Sequence, residues 1–116
     1  MARDTLGSLE IQHMLVMACD PKACYSTAMV RRLAELTGRT YTKGTVATTL
    51  TRLAEKGYVS SRMGEPTPDR GRVRRLYRLE PAGWAAIDRT VAQAREVLAL
   101  WGLFSQGAPV KKGIAG

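Results

Sequence analysis

Between Ala82 and Phe104, the apolar residues Trp84, Ile87, Val91, Ala94, Leu98 and Trp101 recur at steps of 3, 4, 3, 4 and 3. This is the spacing of a heptad seam on one long helix. Val97, Leu100 and Phe104 widen the stripe toward its end. Such a helix is about 35 Å long, more than a three-helix core can cover, and the 116-residue chain has no other large element to cover it. Left bare, the stripe would be an aggregation-prone patch. Most of it is therefore expected to meet another chain. The stretch LGSLEIQHMLVMAC, Leu6 to Cys19, offers the matching surface: between Leu9 and Ala18 only Glu10, Gln12 and His13 are polar, and a helix apolar around most of its circumference needs two buried faces. The expectation is a symmetric dimer built from the first and last helices. Leu9, Met14, Met17, Ile87, Val91, Ala94, Leu98 and Trp101 are placed at its interface.

Between these two segments the chain reads as two further helices and a hairpin. Asp20 and Pro21 end the first helix, and the second begins at Ser26 or Thr27, both competent N-caps, running through Met29, Val30, Leu33 and Leu36 to a stop at Gly38. Thr42 caps a third helix in which Val46, Leu50 and Leu53 share one side, and Gly57 closes it. Its opposite side presents Thr45, Thr48, Thr49, Arg52 and Lys56, with Lys43 at its start. Threonine is a mediocre helix former, so propensity does not explain four threonines within Thr45–Thr51. Short hydroxyl side chains beside cations let a helix approach a groove closely and bond to phosphates and base edges; a plain solvated face is the alternative. YVSSRM and RVRRLYRL then have strand composition around GEPTPDRG, whose Gly, Pro and Asp make an exposed tip. Glu80, Pro81 and Ala82 open the last helix, with Pro suited to the first helical position.

The charge is localised. Lys and Arg number 18 against 10 Asp and Glu, a net charge of +8. Residues 1–40, 41–79 and 80–116 carry +1, +6 and +1, and the run from Arg70 to Arg78 holds five arginines. A ribbon with arginine on both sides near its tip cannot be buried in its own domain, and it points to a polyanion, nucleic acid first. Lys43, Thr45, Thr48, Thr49, Arg52, Lys56, Arg70, Arg72, Arg74 and Arg75 are the residues expected nearest DNA.

Other chemistries find little support. The length fits a single domain. No run approaches the roughly 18 apolar residues of a membrane span, and MARDTLGSLE lacks the pattern of a secretory signal, so the expectation is a cytoplasmic protein without membrane contact. Two cysteines and one histidine make a poor metal set, and neither metal nor cofactor is expected. Cys19 and Cys24 could form a redox pair, but read more simply as reduced residues of a cytosolic protein. His13 has no carboxylate or nucleophile at a recognisable spacing and is assigned to a helix surface or interface, so no enzyme is expected. Tyr25 and Tyr58 are assigned to core and hinge packing.

Three helices with a hydroxyl-rich third, a basic hairpin and a long apolar helix follow one another in the order of a winged helix-turn-helix protein. The fold class expected is mainly α with a two-stranded β wing, plus a long C-terminal dimerisation helix. The domain division is 1–79 for the winged helix-turn-helix, 80–105 for the dimerisation helix and 106–116 for a flexible tail. The residues resemble the PadR family of bacterial transcriptional regulators, in its short subfamily with a single C-terminal helix. The resemblance rests on LGSLEIQHMLVMA, on ACYST, on TGRTYTKGTV and TTLTRLAEKGYVSSR, and most specifically on GEPTPDRGRVRRLYRLEPAG. It implies a dimeric repressor with a recognition helix at Thr42–Lys56, a wing that contacts the minor groove or phosphates, and release by a ligand in some members. Ala47 stands where the family often has Tyr, Ser26 where Gly is common, and Glu80 where Thr commonly caps the last helix. Short members bind planar drugs at the dimer centre. Here Trp101, Phe104 and Met14 could line such a pocket for a planar aromatic effector, or serve as ordinary interface packing. The rival reading is an RNA-binding or ribosome-associated winged helix, against which the long apolar helix argues.

Overall fold

The computed structural model describes residues 6–65 and 73–107. Its helices are α1 (Ser8–Cys19), α2 (Ser26–Thr37), α3 (Lys43–Glu55) and α4 (Pro81–Gly102), with strands β1 (Val59–Met63) and β2 (Arg75–Leu79) between α3 and α4, and a π-helical turn, Leu103–Gly107, after α4. The strands pair antiparallel, Val59 opposite Leu79 and Met63 opposite Arg75. The Gly64 N–H continues the ladder to the Arg74 carbonyl at 2.7 Å. This is the expected mainly α winged helix-turn-helix with its two-stranded wing. The hairpin tip, with Arg70 and Arg72, lies outside the described residues, as does the tail beyond Gly107.

Local chemistry sets the helix ends. The Thr42 hydroxyl accepts from the Thr45 N–H at 3.1 Å, capping α3 as its sequence predicts. At α1 the Glu10 carboxylate accepts from the Gly7 N–H at 3.1 Å, the carboxylate half of a capping box. Gly38, which ends α2, and Gly57, which leads α3 into β1, have φ of 75° and 81°, left-handed values that favour glycine. α2 begins at Ser26, as expected, but its N-cap is Tyr25, extended and without a side-chain cap bond, rather than Ser26 or Thr27.

Met14, Met29, Leu33, Val46, Leu50 and Leu53 are fully buried at the centre, and Val16, Met17, Tyr58, Val59, Tyr77, Ala86 and Ile87 pack around them. This corrects the interface expected for Met14, Met17 and Ile87. α1 packs against α2, α3, α4 and β2 of its own subunit, so the buried side of α1 is spent on the protomer core. Leu9 and Val91 are half-buried, while Ala94 is exposed. His13, expected at a helix surface or interface, is instead fully buried within the chain's own core. Its Nδ1 donates to the carbonyl of Leu9, one turn earlier in α1, at 2.8 Å. Burial holds this imidazole below its ordinary pKa, against the opposing pull of that carbonyl and of Glu10, so it is neutral near pH 7.

The first turns of α4 belong to this same core, and the rest of the helix leaves it. Val97, Leu98, Leu100, Trp101 and Leu103 are 62–69 % exposed. The overall extents of 63 × 30 × 23 Å reflect a long element projecting from a small body. What anchors α4 is a close crossing over the start of β1. The Glu80 N–H donates to the Tyr58 carbonyl at 3.0 Å, the Ser60 hydroxyl donates to the Glu80 carboxylate, and Gly83 lies directly against the Tyr58 backbone. A Cβ on Gly83 would overlap the Tyr58 carbonyl oxygen and press on Leu79. Gly83→Ala is therefore expected to lower unfolding stability by about 1–3 kcal/mol, although Ala is the better helix former. Urea denaturation measures it, and a variant as stable as the parent would contradict the close crossing.

Candidate nucleic-acid interface

α3 divides by period into two faces. Val46, Thr49, Leu50 and Leu53 form the buried one. Lys43, Thr45, Thr48, Thr51 and Arg52 are exposed on the other. Thr49 thus departs from the outward set expected for it. It is 4 % exposed, so burial takes it off the outward face, and its hydroxyl donates to the Thr45 carbonyl at 2.9 Å, which satisfies a buried polar group within the helix. Thr51, not singled out in the sequence because it sits one step round the helix from the threonines that were, is on the open face instead.

Lys56, at the end of α3, is not a free cation. Its ammonium donates to both carboxylate oxygens of Glu10, at 2.8 and 3.0 Å, joining the end of α3 to the first turn of α1. Burial pushes the Glu10 carboxyl upward. The Lys56 ammonium, the Gly7 N–H and the charge of Arg52 together outweigh it and hold the carboxyl below its ordinary value.

The wing brings further cations to the same side. Arg74 and Arg75 are exposed; Arg75 donates to the Ser61 hydroxyl at 3.2 Å, and the Arg74 guanidinium carbon lies 4.3 Å from the centre of the Tyr25 ring. Between α3, β2 and the start of α2 is an open cleft of about 400 Å³, lined among others by Lys43, Thr51, Arg74 and Arg75 together with Ser26 and Thr27. It gathers three cations and three hydroxyls from three separate elements, donors suited to anionic oxygen. Tyr25, assigned to core or hinge packing in the sequence, is half-buried on this cleft.

The remaining candidates separate. Trp101 and Phe104 are 65 % and 53 % exposed, whereas Met14 is fully buried and cannot line a surface pocket with them. Cys19 is exposed and Cys24 half-buried, both as free thiols. Among the described residues no group of three or more His, Cys, Asp or Glu side chains could hold a metal ion, and no helix is long and apolar enough to cross a membrane.

The Glu10–Lys56 pair has a pH signature. Because the folded carboxyl has the lower pKa, its contribution is complete above the unfolded value near pH 4.3 and is lost as pH falls through the folded value. Glu10→Gln is expected to cost about 0.5–1 kcal/mol at pH 7, as for a partly exposed pair with an added cap bond. The difference from wild type should shrink at acid pH, once the carboxyl is protonated in the folded protein as well. Chemical denaturation at neutral and at acid pH checks it; a pH-independent difference would contradict the ionic origin.

Comparison with known proteins places this geometry. The profile of the family described as "Transcriptional regulator PadR-like family" matches residues 14–89, more than half of the chain. None of the curated proteins matches the chain in sequence. Among solved structures, a PadR family transcription regulator of Clostridium difficile superimposes with a TM-score of 0.64 at 20 % identity, covering 81 % of this chain and 96 % of that one. The PadR family regulator of Eggerthella lenta gives 0.63 at 22 %, covering 85 % and 88 %. BpsR of Bordetella bronchiseptica, whose DNA binding is regulated by 6-hydroxynicotinic acid, gives 0.61 at 17 %, covering 96 % and 74 %. The family match over the α1–α4 body, with the winged-helix fold shared by these structures, shows that the chain belongs to the PadR-like family of transcriptional regulators.

Proposed function

We propose that the protein acts in the cytoplasm as a homodimeric repressor that binds an inverted-repeat operator in double-stranded DNA. The observation that carries this reading is the open cleft where Lys43 and Thr51 of α3 meet Arg74 and Arg75 of the wing, with Thr45, Thr48 and Arg52 exposed on the same helix. α3 enters the major groove with its hydroxyls and cations toward base edges and phosphates, and the wing reaches the flanking backbone or minor groove, Arg70 and Arg72 included. The exposed end of α4 pairs with its copy through Val97, Leu98, Leu100 and Trp101, and places a second α3 about 34 Å away, one turn of duplex. Trp101 and Phe104 stand in that seam, where a planar aromatic effector could part the subunits or turn them off register. That DNA binding by the structurally similar BpsR is regulated by 6-hydroxynicotinic acid, a planar aromatic acid, supports a small-molecule effector.

The test is a salt-dependent fluorescence titration with the duplex upstream of the protein's own gene. With about four phosphates neutralised per subunit, log K should fall with log salt at a slope near −7; a slope shallower than about −2 would contradict the assignment. Lys43→Gln and Arg52→Gln should each flatten the slope by about 2 per dimer, Lys56→Gln by less than half as much because Glu10 already holds its charge, and Thr49→Val not at all. In the same cuvette, a planar aromatic effector should quench Trp101 and lower the affinity. A broad panel without quenching would contradict effector release.

A further inference from the structure

The wing reaches the rest of the domain through contacts that the DNA-facing residues do not explain. Residues 24 and 25 precede α2, Tyr25 with extended backbone at φ −141° and ψ 163°, and the Tyr77 N–H of β2 donates to the Cys24 carbonyl at 2.8 Å. This single bond lays β2 beside the chain entering α2. One residue on, the half-buried Tyr25 ring carries the Arg74 guanidinium at 4.3 Å from its centre, within the range of a cation–π contact. Arg74 is exposed and, among the described residues, has no acidic partner. Among the described residues its guanidinium charge is thus left without an acidic partner, while its direction is set by an aromatic face.

We infer that Tyr25 is a positioning residue for DNA binding: its ring holds Arg74 over the cleft shared with Lys43 of α3, so that wing and α3 engage the phosphate backbone as one preformed surface. The inference rests on the DNA-binding reading above and deepens it. An arginine just before a β-strand, as Arg74 is, loses the freedom of several rotatable bonds when it grips a phosphate, and that ordering costs affinity. A ring that already restrains the guanidinium, and leaves its N–H edges free, removes part of the cost before binding. The ligand recognised is the DNA backbone, not a base, so the effect is independent of sequence.

Because the contact is to backbone, the probe is a fluorescein-labelled duplex of mixed sequence, about 30 base pairs long to span two half-sites. It is titrated with the full-length protein at several salt concentrations. Tyr25→Leu is expected to weaken binding about fivefold, whereas Tyr25→Phe, which keeps the ring face, should stay within about twofold of wild type. Arg74→Gln should weaken binding at least as much and flatten the salt slope. In the Arg74→Gln background, Tyr25→Leu should have no further effect, a coupling that a merely structural tyrosine would not show. Arg74 is exposed, so its variant keeps the test decisive even if Tyr25→Leu unfolds. Arg74→Gln with wild-type affinity and slope overturns the inference alone, as does Tyr25→Leu acting equally in both backgrounds. A wild-type protein that does not bind the duplex overturns the DNA-binding reading and this inference together.

Discussion

α4 is longer than the core that receives it. Its first turns are locked in by the Tyr58 carbonyl, which accepts the Glu80 N–H and leaves room only for glycine at position 83, and by the burial of Ala86 and Ile87. Beyond Val91, among the described residues, the helix is exposed as far as Trp101. The same crossing fixes the end of β2, so the direction of the projecting helix and the pose of the wing are set at one place. Large apolar side chains such as Leu98 and Trp101 each gain about 1.5–3 kcal/mol on burial, so a row of them outside the core is a strong driving force for association even after the cost of joining two subunits. The winged-helix body and the bare apolar end of α4 are in this sense one construction.

The cationic side of the molecule is shaped as much by what is withheld as by what is offered. α3 turns Val46, Thr49, Leu50 and Leu53 inward and Lys43, Thr45, Thr48 and Arg52 outward. Lys56 is tied back to Glu10 across 46 residues of sequence, trading charge for a clasp between α1 and the end of α3. Arg74 leans on Tyr25. A count of basic residues in the middle third therefore overstates the free charge at the cleft, and the remaining cations are held in narrower directions than free side chains would be.

Much of the architecture was legible in the chain because it follows from local rules. The Thr42 cap, the glycine stops at Gly38 and Gly57, the alternating strands and the Pro81 helix start all need only near neighbours. What was not legible depends on who packs against whom. The apolar residues of α1 looked equally suited to a core and to a partner, and only tertiary packing assigns Met14, Met17 and His13 to the protomer interior. Thr49 shares a residue type with the outward Thr45 and Thr48 and lies only about 40° and 100° round the helix from them. The Tyr25–Arg74 and Glu10–Lys56 pairs join segments far apart in sequence, and no spacing announces them.

The pairing of two subunits through the bare end of α4 is the claim on which the operator geometry depends. Sedimentation velocity of the full-length protein at micromolar concentration, alongside Leu98→Glu, tests it most directly. Wild type should sediment as a species of twice 12.7 kDa, and Leu98→Glu, which sets a charge in the seam, should shift it to the single-chain mass while keeping its helical content. A wild-type protein that sediments at 12.7 kDa, or a Leu98→Glu variant that pairs as tightly as wild type, would contradict the shared seam.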